Sequence, residues 1–241
     1  MKYLETSVGN NGKQNVLFPL EYMYITQGEN GGYSHQGSYS MDFVGYNASG
    51  ALLNAPYYAP CDLTLVYITG SSDALVWQSN DVVNFIDGTT DYICFEFGHD
   101  DNIPNYKVGD TKKQGQVIGH TGTRGNVTGD HVHMTIVKGK YAGYYKNSYG
   151  IWCLVNQYHL YNGVGVNDTN IINGYGYDWK KWDDTPTPPT PPDPPDPPDP
   201  PYPPLPPITF KNFNHFPFYM YKKNSIKRRW IIDTLHILHY N

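Results

Sequence analysis

The stretch TPTPPTPPDPPDPPDPPYPPLPP, residues 185–207, limits this chain more than any other part of it. Proline has no N–H to donate and its ring fixes φ, so a PPD repeat can build neither a helix nor a sheet. Such a run extends as polyproline II, at about 3.1 Å per residue. The chain is thereby divided into a compact part at 1–184, a semi-rigid spacer at 185–207 and a short tail at 208–241. The spacer reads as a plain tether or as a proline motif that a partner recognises, and its residues leave both open.

Charge follows the same division. The formal net charge is −5, yet the tail holds Lys211, Lys222, Lys223, Lys227, Arg228 and Arg229 against the single acid Asp233. The tail is therefore +5 and the remainder −10. Within the compact part, "CDLTLVYI", "ALVWQS", "DVVNFID", "DYICFEF", "GQVIGHTG" and "HVHMTIV" read as strands punctuated by Gly, Asp, Asn and Ser. With 23 tyrosines, 24 glycines and little helical periodicity, the expected fold is mainly β, a largely antiparallel sheet joined by hairpins. Alternation is cleanest at "DYICFEF", which should set Tyr92, Cys94 and Glu96 on one face and Ile93, Phe95 and Phe97 on the other.

Cys61, Cys94 and Cys153 are odd in number and far apart, which argues for buried free thiols over a disulfide framework or a metal knuckle. No glycine-rich phosphate loop sits between a strand and a helix, so nucleotide chemistry lacks support and no nucleic-acid partner is expected. "MKYLETSVGNNGKQ" has no apolar core of signal-peptide length, and no run of eighteen apolar residues occurs. Neither general secretion nor a membrane span is expected.

The chemistry lies in the histidines. In "GDHVHMTI", residues 129–136, His131 and His133 project from one face of a strand, where they read as half-exposed strand residues or as a pair sharing one target. His35 in "YSHQGSYSMDFVG" precedes Asp42 by seven residues, and His99 closes a strand in "FEFGHDDN". His35, Asp42 and His133 together would make a set of two imidazoles and a carboxylate, a donor set that suits Zn²⁺ with its fourth position left to water.

The segments "SHQGSYSMDF", "APCDLTLVYITG" and "FGHDDNIPNYKVGDTKKQGQVIGHTGTRGNVTGDHVHMTI" resemble the lysostaphin-type (LytM-like) zinc endopeptidases, which cut peptide cross-bridges or stems of bacterial peptidoglycan. The likeness covers residues 34–137. It implies a lysostaphin-like β fold of the duplicated-hybrid-motif type and one zinc ion per chain held by His35, Asp42 and His133. It implies also that His99 and His131 form the catalytic pair. The chain departs from the family's commonest pattern in its seven-residue His-to-Asp interval, where four is usual, so "QGSYS" looks like an insertion. Asp130 stands where a proline is usual, Leu63 where a glycine is usual, and "MTI" replaces an apolar-acidic finish. Residues 109–122 resemble the family's lead-in to the His-x-His, expected as a hairpin whose glycines allow tight turns.

Zn²⁺ so held would lower the pKa of its water and polarise a peptide carbonyl, while His99 and His131 would orient or deprotonate that water and stabilise the oxyanion. Which of the two is the base is left open. His120 is expected in a turn or as a groove residue meeting substrate, His159 in surface packing, Asp100 and Asp101 as solvated loop acids or as neighbours acting on His99, and Tyr33, Tyr39 and Tyr106 chiefly as strand residues or else lining a peptide groove. The tail is read as a partner-docked or disordered terminus, or as an element gripping an anionic wall polymer or lipid surface.

These expectations combine into a zinc metalloendopeptidase acting on peptidoglycan. It would be a bacteriophage product, either built into the tail of the virion beside other tail proteins or made in the host cytoplasm and released at lysis. The rival class is a non-catalytic tail module that binds wall through the same fold, with a phosphoesterase a distant third because such sites usually want more carboxylates.

Overall fold

A computed structural model describes residues 6–182, apart from 71, 72 and 104. The proline spacer and the basic tail lie outside the described residues. The protein is mainly β. Its principal sheet has nine strands: β1 (Tyr22–Gln27), β2 (Met41–Phe43), β3 (Leu63–Ile68), β4 (Ala74–Ser79), β5 (Ile93–Gly98), β6 (Thr111–Lys112), β7 (Val132–Lys138), β8 (Gln157–Tyr158) and β9 (Asn170–Asn173). They lie in the order β6-β3-β4-β5-β7-β2-β1-β9, with β8 also pairing β7. Among these strand pairs only β1 with β9 is parallel. A single helical turn, Leu160–Gly163, follows β8.

Strand parity separates two environments. On β7, Val132, Met134 and Ile136 enter the main core with Met41, Phe43, Leu75, Trp77, Phe95 and Phe97. Each fully buried side chain of this size contributes about 1.5–3 kcal/mol through removal from water. The alternate residues His133, Thr135 and Val137 face the other way, and there the sheet is covered by a smaller cluster of Val76, Cys94, Val137 and Leu154. The expected alternation of 92–97 holds, since Ile93, Phe95 and Phe97 belong to the main core and Cys94 to the second.

Several expected strands take a different form. "ALVWQS" is a strand throughout, but "DVVNFID" supplies only Val83–Asn84 before turning at Gly88, whose φ is +87°. Phe85 and Ile86 are apolar because that turn is buried, 0% and 2% exposed. The hairpin expected over 109–122 does not form as such. Thr111–Lys112 pairs with β3, and Val117–His120 pairs with Pro56–Tyr58. The central strand β2 is only three residues long, too short for a periodic signal, and β8 and β9, at two and four residues, are likewise short. Cys61, Cys94 and Cys153 are free and buried, and burial pushes the Cys94 thiol up to about 12.

Candidate metal centre and active site

Cross-strand register assembles the site. His133 on β7 lies opposite Asp42 on β2 and opposite Gly98 on β5. A Cβ at Gly98 would stand 3.3 Å from the Cβ of His133, so glycine leaves the imidazole its place. His35 arrives from the preceding loop. Its seven-residue interval to Asp42 is taken up by a turn in which Ser38 N–H donates to His35 O at 2.8 Å, with Gly37 at φ +68°. The surplus residues fold back against the protein and leave the two side chains side by side.

Three donor atoms converge. His35 Nε2 is 3.2 Å from Asp42 Oδ1 and 3.2 Å from His133 Nδ1, and His133 Nδ1 is 3.0 Å from Asp42 Oδ1. Two tetrahedral zinc bonds of about 2.0–2.1 Å place their ligand atoms about 3.3 Å apart, so the triangle has the size that zinc requires. Proton counting supports the fit. His35 Nδ1 faces the carbonyl oxygen of Gly28 at 3.1 Å, so it carries the hydrogen and its Nε2 is bare. A bare imidazole nitrogen and a carboxylate oxygen thus face one another with at most one proton available, from His133. Converging lone pairs of this kind suit a cation.

His99 and His131 flank this triangle. The His99 and His131 rings lie 4.7 Å apart and the His99 and His133 rings 5.8 Å apart, centre to centre. His131 Nε2 comes to 3.8 Å of Asp42 Oδ1. Each of the two donates from Nδ1 to a backbone carbonyl, His99 to Arg124 O and His131 to Gly129 O, both at 2.8 Å. Their Nε2 atoms are therefore bare and free to accept a proton. The site opens into a cleft of about 470 Å³ lined also by Thr26, Tyr33, Asp73, Glu96 and Thr128.

Electrostatics separates the two roles. Burial by itself raises the Asp42 carboxyl, but hydrogen bonds and charge from His133 and His35 outweigh it and hold Asp42 well below the usual carboxylate range. Burial would lower His133, yet Asp42 keeps it above the ordinary histidine value. His99 is brought down to about 4, first by burial and then by its neighbour His133. It is a neutral base throughout the physiological range.

The backbone around His99 is held from several sides. Its φ is +75°, unusual for a residue with a side chain. His99 N–H donates to Asp73 O at 2.9 Å, and Arg124 N–H donates to His99 O at 3.1 Å. Asp100, expected to be solvated, is instead 2% exposed. Its carboxylate accepts from the backbone N–H groups of His120 at 2.8 Å and Asn102 at 2.7 Å. Asp101 accepts from Thr123 N–H at 2.7 Å. A Cβ on Gly122 would come within 2.3 Å of His99 O, so that glycine serves close approach where a tight turn was expected. Gly122 and His131 exchange two backbone hydrogen bonds, at 3.0 and 3.1 Å, which tie the two catalytic candidates' segments together.

The remaining candidates lie elsewhere. His120 borders a separate groove with Asn54, Tyr106 and Lys112. His159 pairs with the buried Glu29 at 2.7 Å and stacks on Tyr39, which makes it a packing residue. Asp130, in place of the usual proline, accepts from Asn54 N–H at 3.1 Å. The carbonyls that hold the imidazoles, and Thr135 behind His133, had no sequence signal, because a backbone acceptor can belong to any residue type.

No protein-family model matches the chain. Its sequence is 41% identical over 179 residues to "Morphogenesis protein 1" of Bacillus phage B103, an alignment spanning 74% of this chain and 47% of that protein. The chain thus spans about half the length of that relative. Among solved structures, a zinc-containing peptidase from Vibrio cholerae aligns with a TM-score of 0.38 and 22% identity over 54% of this chain and 42% of its own. The lysostaphin catalytic domain from Staphylococcus simulans aligns at 0.35 and 22% over 49% of this chain and 80% of its own. The catalytic domain of the prophage-encoded protein EnpA from Enterococcus faecalis aligns at 0.37 and 19% over 52% and 88%. This chain is similar in sequence to a phage morphogenesis protein, and the solved structures it aligns with at low structural similarity include a zinc-containing peptidase and lysostaphin.

Proposed function

We propose that this chain is a zinc-dependent endopeptidase that hydrolyses peptide bonds in bacterial peptidoglycan. The observation that carries this reading is the triangle of His35 Nε2, Asp42 Oδ1 and His133 Nδ1, with two further imidazoles presenting bare Nε2 atoms to the same open cleft. His35, Asp42 and His133 would hold one zinc ion, which supplies Lewis acidity toward a peptide carbonyl and toward water. His99 and His131 accept a proton at Nε2 and return it to the leaving amine, while their Nδ1–H bonds to Arg124 O and Gly129 O keep both rings in that tautomer. Once protonated, either ring stabilises negative charge on the reacting oxygen. The seven-residue loop and the glycines at 98 and 122 position these groups without joining the chemistry.

The domain division at 184 and 207 belongs to this proposal: a peptidase part, a polyproline spacer and a basic aromatic tail. So does its setting. The likeness to a morphogenesis protein of a bacteriophage supports a component of the phage particle that meets the wall alongside other tail proteins. The same likeness favours one rival reading, a non-catalytic tail module that binds wall.

One assay separates them. Purified cell walls are incubated with wild type, with chelator-treated protein before and after zinc is restored, and with His131→Ala, and released amines are counted. Peptidase action requires release by wild type, loss on chelation, recovery with zinc, and an inactive His131→Ala that still holds metal. Wall binding with no amine released across several wall chemistries would establish the module instead.

A further inference from the structure

Behind His133 runs a buried line of hydroxyls. His133 Nε2 lies 3.4 Å from Thr135 Oγ1, Thr135 Oγ1 is 2.7 Å from Ser40 Oγ, and Ser40 Oγ is 2.6 Å from Ser38 Oγ. The line ends on Gln157, whose Nε2 donates to Ser38 Oγ at 3.0 Å. Ser38, Ser40 and Thr135 are 2%, 4% and 0% exposed. Four polar side chains, Ser38 and Ser40 from the loop leading into β2, Thr135 from β7 and Gln157 from β8, therefore form one layer, and its three hydroxyls occupy buried space that apolar residues could have filled. Buried polar groups are retained where they are fully connected, and here each is.

The hydrogens in this line can be counted. Ser38 Oγ accepts from Gln157 Nε2–H and from Ser40 N–H at 3.2 Å, so both of its lone pairs are taken by donors that cannot reverse. Its own hydrogen must be given away. Gln157 Oε1 is 3.4 Å distant and already accepts from Tyr39 N–H, whereas Ser40 Oγ is at 2.6 Å. Ser38 thus donates to Ser40, and Ser40 to Thr135. Thr135 Oγ1 is left with one lone pair and its own hydrogen, and His133 Nε2 at 3.4 Å is the partner it faces. With a metal on Nδ1, the atom facing Asp42 and His35, the ring's hydrogen sits on Nε2 and the Thr135 lone pair accepts it.

The geometry points to Thr135 as a positioning residue for the metal centre: the relay Gln157–Ser38–Ser40–Thr135 holds the His133 ring and offers its Nε2–H an acceptor when Nδ1 is the ligand atom. The inference rests on the metal-centre reading above. Outer partners of metal-binding histidines alter metal affinity about 10–100-fold when removed. The test is zinc affinity, by competition with a chromogenic chelator, for wild type, Thr135→Val, Thr135→Ser and Ser40→Ala, beside the melting temperature of each metal-free protein.

Val keeps the shape of Thr and suits a strand, while Ser keeps the hydroxyl and loses a methyl group. A hydroxyl role therefore requires Val to bind zinc about 10–100-fold more weakly and Ser to stay within about threefold of wild type. Ser40→Ala, one link further back, should weaken binding in the same direction by less. A packing role reverses the order, with Ser worse than Val, and overturns the inference. Wild-type affinity in Thr135→Val also overturns it while leaving the metal centre standing. A wild-type chain that takes up no zinc overturns the centre and the relay together.

Discussion

The two faces of β7 carry opposite logics on one strand. Val132, Met134 and Ile136 pack into a core where volume and apolarity are what matter. His133 and Thr135, with His131 just before the strand, look the other way, and there His131 Nδ1, both His133 ring nitrogens and the Thr135 hydroxyl have polar partners while His131 Nε2 is left bare. A side-chain period of two keeps the two sets apart, so one short segment serves both the core and the candidate site. The core face should tolerate changes that conserve volume, whereas the site face should lose function to changes that leave the fold intact.

The largest break in this contrast is expected at His131→Ala. Loss of a positioned proton acceptor lowers rate by about 10²–10⁴-fold, while bound zinc and melting temperature stay close to wild type; kinetics and metal content on the same preparation check it. Next comes the opposite face. Met134→Ala removes a fully buried side chain and should cost about 2–5 kcal/mol of stability in denaturant unfolding. Its specific activity per folded molecule should hardly change, and a selective loss of catalysis there would erase the distinction between the faces.

A smaller effect concerns pH. His99 has its pKa lowered to about 4 in the folded chain, so the unfolded chain binds more protons between roughly 6.5 and 4. Stability contributed by His99 is whole above that window and is lost as pH falls through it, by at most about 3 kcal/mol and less after solvent screening of a partly exposed ring. Unfolding of metal-free wild type and His99→Gln across this range should show the two curves converging toward acid. Parallel curves would mean that the ring is not held neutral by the fold. Smallest of all is Gly98→Ala, which crowds the Cβ of His133 by a few tenths of an ångström. It should cost about 1 kcal/mol and weaken zinc binding more than an alanine placed in an exposed loop.

The β class, the free cysteines and the strands β3, β4, β5 and β7 are legible in the sequence, because alternation persists over six or seven residues in each of those strands. Legibility failed where elements were short or where burial imitated a strand, as at Met41–Phe43 and Phe85–Ile86. Asp100 misled for a related reason. Nothing in "GHDDN" distinguishes an acid that braces backbone N–H groups from one in solvent, and the difference lies in where His120 N–H and Asn102 N–H arrive.

What the amino-acid order determined by itself is local: a proline run that cannot fold into the sheet, a His-x-His whose side chains must share a face, and a residue inventory fit for two imidazoles and a carboxylate. Each follows from dihedral limits or strand period, which need no partner. Only the tertiary structure decided that Asp42 stands opposite His133, that Gly28, Arg124 and Gly129 carbonyls choose the tautomers, and that Thr135 stands behind a donor atom. The Asp42, His35 and Arg124 contacts join segments from 25 to about a hundred residues apart, where packing and register set which atoms meet, and even Gly129 and Thr135, two residues from their imidazoles, have their hydrogen-bond direction set by what packs around them.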